Sequence, residues 1–591
     1  MSQQTTSTDT RLETLRHSCA HLMAHALKRL FPKEKIELGI GPVIQHGFYY
    51  DFLMERKLTQ EDFPQIEEMM RTIIKEALPI TSQKFSKKEA LAFYENAKEP
   101  LKVELIESFS EAEEVSFYTQ GDFTDLCRGP HMQNTAHILP YFKIYQVAGA
   151  YWRGDETRPM MQRLYAFFFS TEKKLKDHLF FLEEAEKRDH RKLGKELELF
   201  LFDSLAPGSP FFLPHGAFIY NELVAFIRRL YTTYDYKEVI TPQILDSELW
   251  HKSGHYAHYK ENMYLTNCDK KEFAVKPMNC PCHMLMFSHG HYSYRDLPLR
   301  FADFGRLHRY ERSGTLAGLT RVRTFCQDDA HIFLGVNQIQ AEIKMLLEMF
   351  MRAYEHFGFN KIKINLSTRP LKKEDRAGDD TIWDLAEKAL EEALKESGHP
   401  YFIKEGDGAF YGPKIDIEIA DALERYHQLG TVQLDFVLPQ KFDLKFTNPQ
   451  GVAEQPVVIH RALLGSLERF IGVYIEHTGG AFPFWMSPVQ AVIVPINSEN
   501  HSSYCHDFAK KCEALGLRVK VDDRNESMNF KTREIQTKKI PFMLAVGDRE
   551  IASNSFSVRK YGEKTSETKS GDDVLELFKN LDHQKILKGK E

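Results

Sequence analysis

Residues Pro298 to Phe333 read PLRFADFGRLHRYERSGTLAGLTRVRTFCQDDAHIF, and the chain is organised around them. Two runs rich in Arg, Phe and other strand-compatible residues flank the polar, glycine-containing segment Glu311 to Gly318, the pattern of a hairpin with a long loop. Strand side chains alternate between faces, so Arg321, Arg323, Phe325, Gln327, Asp329 and His331 are expected on one side of the second strand. Arg309 and Glu311 likewise share a side of the first. A solvated charged face is the plain alternative. The mixture of guanidinium forks, an amide, a carboxylate and an imidazole suits a polyanion together with a small zwitterion better than water.

Outward from this stretch, the 591 residues exceed what one core accommodates and imply about three or four domains. Apolar and charged residues stand in the proportions of a soluble globular protein. A formal net charge of -6 does not advertise nucleic-acid binding, so any RNA surface must be a local basic patch. The eight cysteines, scattered singly apart from Cys280 and Cys282, form no disulfide framework and fit a reducing compartment. No apolar run of about 18 residues occurs, and the opening MSQQTTSTDTRLET lacks an apolar core; no membrane span and a cytoplasmic location are expected.

Met1 to Thr10 are rich in Ser, Thr and Gln and read as a disordered tail. From Leu12 a helix is expected, with Leu12, Leu15, Cys19, Leu22, Ala26 and Leu30 as its buried stripe. His17, His21 and His25 form an i, i+4, i+8 row off that stripe. A lone histidine is more often structural, whereas three aligned suit the lining of a site. Zinc peptidases pair histidines at this spacing but need Glu directly after the first, and here that position is Ser18. Asp125, Cys127 and His131 follow within GDFTDLCRGPH, between turns. Thr171 to Phe200, dense in Lys and Glu, reads as an exposed connecting helix.

The segment after it, HGAFIYNELVAFIRRLYTTYDYKEVITP, is an amphipathic helix followed by a strand ending at Pro242. EGDGAFYGPKIDIEI and HQLGTVQLDF read as strands whose inward polar residues, Lys414, Asp416 and Glu418 on one and Thr431, Gln433 and Asp435 on the other, need a ligand or each other. A short strand over Pro456 to Ile459 is expected to pass into a helix with Arg461, Gly465 and Arg469 on one face, the glycine marking close approach of something such as ATP. From about Pro488 strands and helices alternate, which implies a small α/β domain with a mainly parallel sheet. A nucleotide-binding module is the alternative for that fold, without a glycine-rich phosphate loop to support it.

The strand, Arg-x-Glu, loop and Arg-containing return strand resemble motif two of the class II aminoacyl-tRNA synthetases, and RTFCQDDAHIF resembles the threonyl family in particular. MNCPCH at Met278 to His283 departs from that family's MNCPGH by one residue, IHRALLGSLERF at Ile459 to Phe470 is close to its motif three, and HSCAH at His17 to His21 resembles its editing domain. The resemblance covers nearly the whole chain from about Leu12. It implies a multidomain α+β and α/β protein: an N-terminal α+β editing domain (11–170), a connecting helix (171–195), a class II antiparallel-sheet catalytic domain (196–487) and a C-terminal α/β anticodon-binding domain (488–591), after a tail at 1–10. Bacterial members usually carry a further ubiquitin-like domain ahead of the first helix, for which the sequence leaves no room.

The same resemblance implies ATP-dependent attachment of L-threonine to tRNA(Thr) through threonyl-adenylate, hydrolytic editing of seryl-tRNA(Thr), and a homodimer built on motif one. Arg309 and Arg321 hold phosphates, Glu311 reads the adenine and Arg469 holds the γ-phosphate. Gln327, Tyr411, Lys414, Gln428, Thr431 and Gln433 line the adenylate pocket and its surroundings, and Asp329 meets the amine. His17, His21, Cys127 and His131, with Asp125 and Lys102, form the editing site; Asn525, Glu550 and Arg559 lie near the anticodon. Mg²⁺ is expected with ATP, and one Zn²⁺ on Cys280, His331 and His460. A three-ligand zinc suits the task because valine, an isostere, lacks the hydroxyl the metal can bind, while serine lacks only a methyl, worth ~1–3 kcal/mol, and must be removed afterwards.

Pro281, favoured at the first helical position, makes Cys280 the expected N-cap of a short helix, where the dipole lowers a thiol's pKa. Cys282 then points away from the metal, about 200° around the axis. Two readings of other classes remain at this stage. A catalytically silent RNA-binding relative would be expected to have lost Arg309, Glu311 or Arg469, and a hydrolase built on the histidines would need the missing Glu.

Overall fold

The computed structural model describes residues 5–111 and 113–586, and the chain divides into two compact units, Met1–Glu183 and Glu184–Glu591. In the first, the helix Thr5–Leu30 buries Leu15, Cys19, Leu22 and Ala26 against a five-stranded antiparallel sheet that includes Gly47–Leu53, Phe142–Tyr151 and Met160–Phe168. A second, three-stranded sheet (Ile80–Phe85, Val115–Gln120, Phe123–Leu126) packs on the helices Lys87–Asn96 and Pro100–Glu107. The opening helix starts at Thr5, not Leu12, because nothing between them is Pro or Gly to stop its propagation. The expected tail is thus helical from Thr5, and its first four residues lie outside those described.

The connecting segment is two helices. Glu172–Arg188 is largely exposed, as expected, but His190–Glu196 is docked, with His190, Leu193 and Gly194 buried. A solvated surface helix describes only the first.

The second unit is built on a nine-stranded sheet. In spatial order it runs Lys237–Glu238, Leu299–Asp303, Thr324–Leu334, Val457–Ser466, Tyr426–Asp435, Lys414–Ala420, Ile362–Ser367 and Tyr401–Lys404, with Arg306–His308 paired separately to Thr324–Leu334. All pairings are antiparallel except the two at the edges. One face buries Ile332, Leu334, Ile459, Leu463, Ile415 and Ile417 under the helices Pro214–Thr233, Ile339–His356 and Leu467–Thr478. The hydrophobic alternation of three long strands therefore turns their polar residues to the opposite face, where a ligand can reach them.

Register does the rest. His331 stands opposite His460, and His460 opposite Gln433. Beyond Ala462 the register shifts, and residues 463–465 bulge from the strand. The freed N–H groups of Leu463 and Leu464 are taken by the carboxylate of Asp328 at 2.9 Å each, which also accepts from Arg461 at 3.0 Å. Asp328 is fully buried, which pushes its carboxyl up to about 7 against the pull of Arg461.

The bulge corrects the sequence expectation here. Residues Val457–Ser466 are strand and the helix begins only at Leu467, so Arg461, Gly465 and Arg469 do not share a helical face. Gly465 is required by a left-handed backbone (φ 76°) and by Leu429 O, which a Cβ would meet at 2.9 Å. The close approach is that of the neighbouring strand.

The C-terminal sheet has the order Val519–Val521, Ala491–Pro495, Phe542–Val546, Ser555–Lys560, Glu567–Ser570; its first three strands are parallel, its last two antiparallel. Residues 547–554 are too few for the crossover that another parallel strand would need.

Candidate active site

Between the central strands and the loops above them lies a pocket of about 380 Å³, lined by Cys280, Arg309, Gln327, Asp329, His331, Tyr411, Thr431, Gln433, His460 and Gly465 among others. Strand alternation accounts for Gln327, Asp329 and His331 facing it together. The remaining members of that expected row do not. The strand begins only at Thr324, so Arg321 and Arg323 belong to the loop, and the first strand ends at His308, leaving Arg309 and Glu311 beyond it.

Cys280, His331 and His460 offer ligand atoms that all lie within 4.8 Å of one another, and all three residues are buried. His331 Nε2 is 2.9 Å from His460 Nδ1. The far nitrogens are engaged behind: His331 Nδ1 stands 2.7 Å from His283 Nδ1, and His460 Nε2 2.8 Å from Asp435 Oδ2. Such outer partners fix the tautomer and aim of a metal-ligating histidine. Two nitrogens on one tetrahedral Zn²⁺ stand about 3.3 Å apart, so a shift of a few tenths of an ångström would admit the ion. Burial holds His331 well below its usual pKa, leaving it neutral as a ligand must be. The donor set fits zinc. His283 and Asp435 were not singled out in the sequence as its supports, since neither spacing nor residue type distinguishes them.

The expected capping geometry at Cys280 is displaced by one residue. Asn279 is the N-cap, Cys280 the first helical residue and Pro281 the next, in the helix Cys280–Ser288. Burial, with Asp329 and Asp435 nearby, raises the Cys280 thiol well above its usual range, opposite to the expected lowering. The helix end is outweighed by removal from water beside two carboxylates. Cys282 faces Thr241, Lys276 and Asp303 instead, and burial raises it to about 11.

Around this cluster, Asn279 Nδ2 donates to Asp329 at 2.9 Å, Tyr411 donates to Gln433, and the Tyr411 ring lies 4.9 Å from that of His460. Lys414, Gln428 and Thr431 converge on one carboxylate, that of Asp416, at 3.0, 2.6 and 3.1 Å, Gln428 and Thr431 on Oδ1 and Lys414 on Oδ2, which also accepts from Ser367. Asp416 thus organises three expected pocket residues while being itself almost fully buried. Of the three, Thr431 lines the pocket.

Of the three expected phosphate-binding arginines, Arg309 lines the pocket. The Arg309 guanidinium lies 5.1 Å from the Phe325 ring and donates to Pro277 O. Arg321 pairs with Glu311 at 2.9 Å. Arg469, whose strand-to-helix position is capped by Ser466, is near enough to Arg321 for repulsion to add to burial in lowering its pKa, and its Nε has no hydrogen-bond partner. A buried guanidinium with an unpartnered Nε beside a second cation suits a polyanion.

The first unit holds a second cluster. Cys127 Sγ stands 3.1 Å from both His17 Nε2 and His131 Nε2, and the His21 and His131 ring centres are 4.2 Å apart. Asp125, beneath, receives Lys102 at 2.6 Å, Tyr50 and, at 3.7 Å, His21. Ser18, whose hydroxyl donates to Thr14 O, leaves its oxygen to accept from His131 Nδ1–H at 3.2 Å, which turns the lone pair of Nε2 toward the thiol. His25 does not join the other two histidines of its row; it is held by Asp122 and Gln120. Burial lowers His17, His21 and His131 and raises Cys127 to about 11, so the cluster is neutral: unprotonated imidazoles with free lone pairs, and a thiol unsuited to nucleophilic attack. Its donor atoms also lie close enough for a metal.

In the C-terminal sheet, Asn525 is exposed in the loop after Val519–Val521 and Glu550 follows Val546, both beyond the same ends of parallel strands. Arg559 lies opposite Met543, toward the other end of that strand.

A mostly antiparallel sheet that carries an Arg-x-Glu loop on one strand and leads by a glycine bulge into an arginine-bearing helix defines the core of a class II aminoacyl-tRNA synthetase. Residues 264–478 match the family model "tRNA synthetase class II core domain (G, H, P, S and T)", 490–581 match "Anticodon binding domain" and 115–165 match "Threonyl and Alanyl tRNA synthetase second additional domain". The chain is 50% identical over 577 residues to a threonine–tRNA ligase of Bdellovibrio bacteriovorus, covering 97% of this chain and 87% of that one. It is 49% identical over 556 residues to threonine–tRNA ligase 2 of Bacillus subtilis, covering 94% and 86%. Among solved structures, the RNA binding domain of threonyl-tRNA synthetase from Cryptosporidium parvum is 45% identical with a TM-score of 0.64, covering 66% of this chain and 98% of that one. The chain belongs to the threonine–tRNA ligase family.

Proposed function

We propose that this enzyme activates threonine with ATP in the pocket of the second unit, transfers it to tRNA(Thr), and clears misattached serine at the histidine–cysteine cluster of the first. The observation that carries the reading is the placement of Cys280, His331 and His460 in one pocket with Asp329 and Arg309.

In the first step the threonine carboxylate attacks the α-phosphorus of ATP, which enters with Mg²⁺, and pyrophosphate leaves. Such transfer needs charge neutralisation and alignment more than covalent help. Arg309 holds the α-phosphate, Arg321 a second contact, and Arg469 the γ-phosphate; Glu311, released from its pair with Arg321, reads the adenine amino group. Gln327, Tyr411, Gln433 and Thr431 enclose the adenylate, with Lys414 and Gln428 on the same Asp416 carboxylate as Thr431 in its surroundings. Asp329 receives the threonine ammonium. Cys280, His331 and His460 would hold one Zn²⁺, which would supply Lewis acidity toward an amine and a hydroxyl, and valine lacks the hydroxyl.

For editing, the ester of seryl-tRNA is placed against His17, His21, Cys127 and His131; one neutral imidazole takes a proton from the attacking water and returns it to the departing ribose oxygen, releasing serine and tRNA, while Lys102 and Asp125 set positions; no metal is required. Asn525, Glu550 and Arg559 meet the anticodon. The editing, connecting, catalytic and anticodon-binding parts take the bounds expected from the sequence, with the tail shortened. Eight free cysteines support a reducing, cytoplasmic setting, and no helix among the described residues is long and apolar enough to cross a membrane.

The test is exchange of pyrophosphate into ATP by purified Arg309→Ala and Arg469→Ala. Each should nearly abolish threonine-dependent exchange with the fold intact, because each removes a fixed charge from the polyphosphate. Near-normal exchange in either would sink the assignment.

A further inference from the structure

The motif two loop, which carries Glu311 and Arg321, packs on the body of the enzyme through Leu319 and meets an imidazole there. His190 opens the docked helix His190–Glu196 and is almost fully buried. Its Nδ1 stands 2.6 Å from Glu476 Oε1, which also accepts from the His190 backbone N–H at 3.2 Å. A carboxylate cannot donate, so Nδ1 carries the proton and Nε2 keeps its lone pair. That lone pair accepts from the backbone N–H of Leu319 at 3.0 Å.

The surroundings are cut to this contact. Leu319 is fully buried. Its neighbour Gly318 has φ 53°, and a Cβ there would stand 2.2 Å from His190 Nε2. A Cβ on Gly472, in the motif three helix, would meet Leu319 and Thr320 at 3.2 and 3.3 Å and the His190 ring at 3.5 Å. Among the described residues, the Leu319 N–H is the one backbone group between Arg312 and Val322 that is hydrogen-bonded outside that loop. Arg321, two residues on, is the cation paired with Glu311.

Asp189, His190 and Glu476 come within reach of a common metal ion. Both ring nitrogens are already engaged, however, and Glu476 is further committed to Arg425 at 2.6 Å. The same junction is clamped by Arg188, which donates to the carbonyls of Glu476 and His477 at the end of the motif three helix. A satisfied core histidine is the plain reading. Against it, the acceptor serves a loop N–H two residues from a substrate-facing arginine, and the opposing surfaces are glycines.

We propose that His190 is a positioning residue of the activation reaction: its Nε2 holds the Leu319 N–H, and thereby sets Arg321 and Glu311 for ATP. This rests on the assignment of those two residues to the nucleotide. Two near-isosteric variants of the full-length enzyme separate acceptor from filler. Gln places an amide oxygen near Nε2 and can still accept from Leu319; Asn reaches only the Nδ1 position and can still donate to Glu476.

In threonine-dependent pyrophosphate exchange, His190→Asn should lose about tenfold or more in kcat/KM for ATP, the scale at which displaced groups matter, with the KM for threonine and the zinc content unchanged. His190→Gln should stay within about threefold of wild type. Hydrogen exchange gives a readout independent of activity: the Leu319 amide should be protected in wild type and His190→Gln and exposed in His190→Asn. A Leu319 amide equally protected in both variants overturns the proposal. Loss of ATP kinetics in His190→Asn with the amide still protected overturns it too. If the amide behaves as stated while ATP kinetics do not follow, it is the roles given to Arg321 and Glu311 that fail.

Discussion

Two thiols stand one residue apart at Cys280 and Cys282, and the helix sends them to different neighbours: Cys280 to His331 and His460, Cys282 to Thr241, Lys276 and Asp303. Cys280→Ser should therefore lose zinc and threonine activation together, while Cys282→Gly keeps one equivalent of zinc by metal analysis. Zinc lost with Cys282 and kept without Cys280 would reverse the assignment. The direction in which the side chains point was legible from Pro281 and helical geometry. The capping residue and the thiol's pKa were not, because one-residue boundaries and burial beside Asp329 and Asp435 are tertiary facts.

The histidines of the first unit make a pH prediction. Burial lowers His17, His21 and His131 in the folded chain, so the unfolded chain binds more protons below about pH 6.5, the ordinary histidine value. Their stabilising contribution is full above that pH and declines as pH falls below it toward the folded-state values. In wild type the thermal midpoint of this unit should drop as pH is lowered from about 7 to 5. His17→Ala, His21→Ala should flatten that slope, charge threonine normally, and accumulate seryl-tRNA. An unchanged slope together with intact seryl-tRNA clearance would remove both roles from these residues.

At the scale of elements, the strand Val457–Ser466 and its bulge decide how the helix that bears Arg469 is presented. Gly465→Ala forces an L side chain into a left-handed backbone and against Leu429 O. A cost of about 1–3 kcal/mol is expected, read as a lowered thermal midpoint, together with a raised KM for ATP because Arg469 follows four residues on. A midpoint and KM equal to wild type would show that the bulge carries no constraint. Alternation made Gln327, Asp329 and His331 legible because Thr324–Leu334 is an unbroken strand. It failed at Arg321 and Arg323, where the chain is still turning, and at Gly465, where a glycine next to a helix can equally be a bulge. Asp328 and Asp416 went unread as organisers for a related reason: each acts through partners on other strands, which no local spacing reveals.

Across the whole molecule, the order of elements and the family resemblance carried the fold, because long patterned segments leave few topologies. The docked helix His190–Glu196 was hidden in a run of Lys and Glu whose charge said surface. A homodimer, implied by motif one, is supported by large apolar side chains left in water: Leu205 is 94% exposed and Ile240 90%, with Leu201, Phe202 and Phe211 exposed on the hairpin Phe200–Phe212. Sedimentation should give a dimer for wild type, and Leu205→Asp with Ile240→Asp should shift it toward monomer; a wild-type monomer at micromolar concentration would refute it.

Amino-acid-dependent exchange of pyrophosphate into ATP by the purified wild-type enzyme most directly tests threonine selection in the pocket of Cys280, His331, His460 and Asp329. Exchange should be fast with threonine, detectable with serine, which keeps both the amine and the hydroxyl, and near background with valine. No exchange with threonine, or exchange with valine equal to it, would contradict the reading of that pocket.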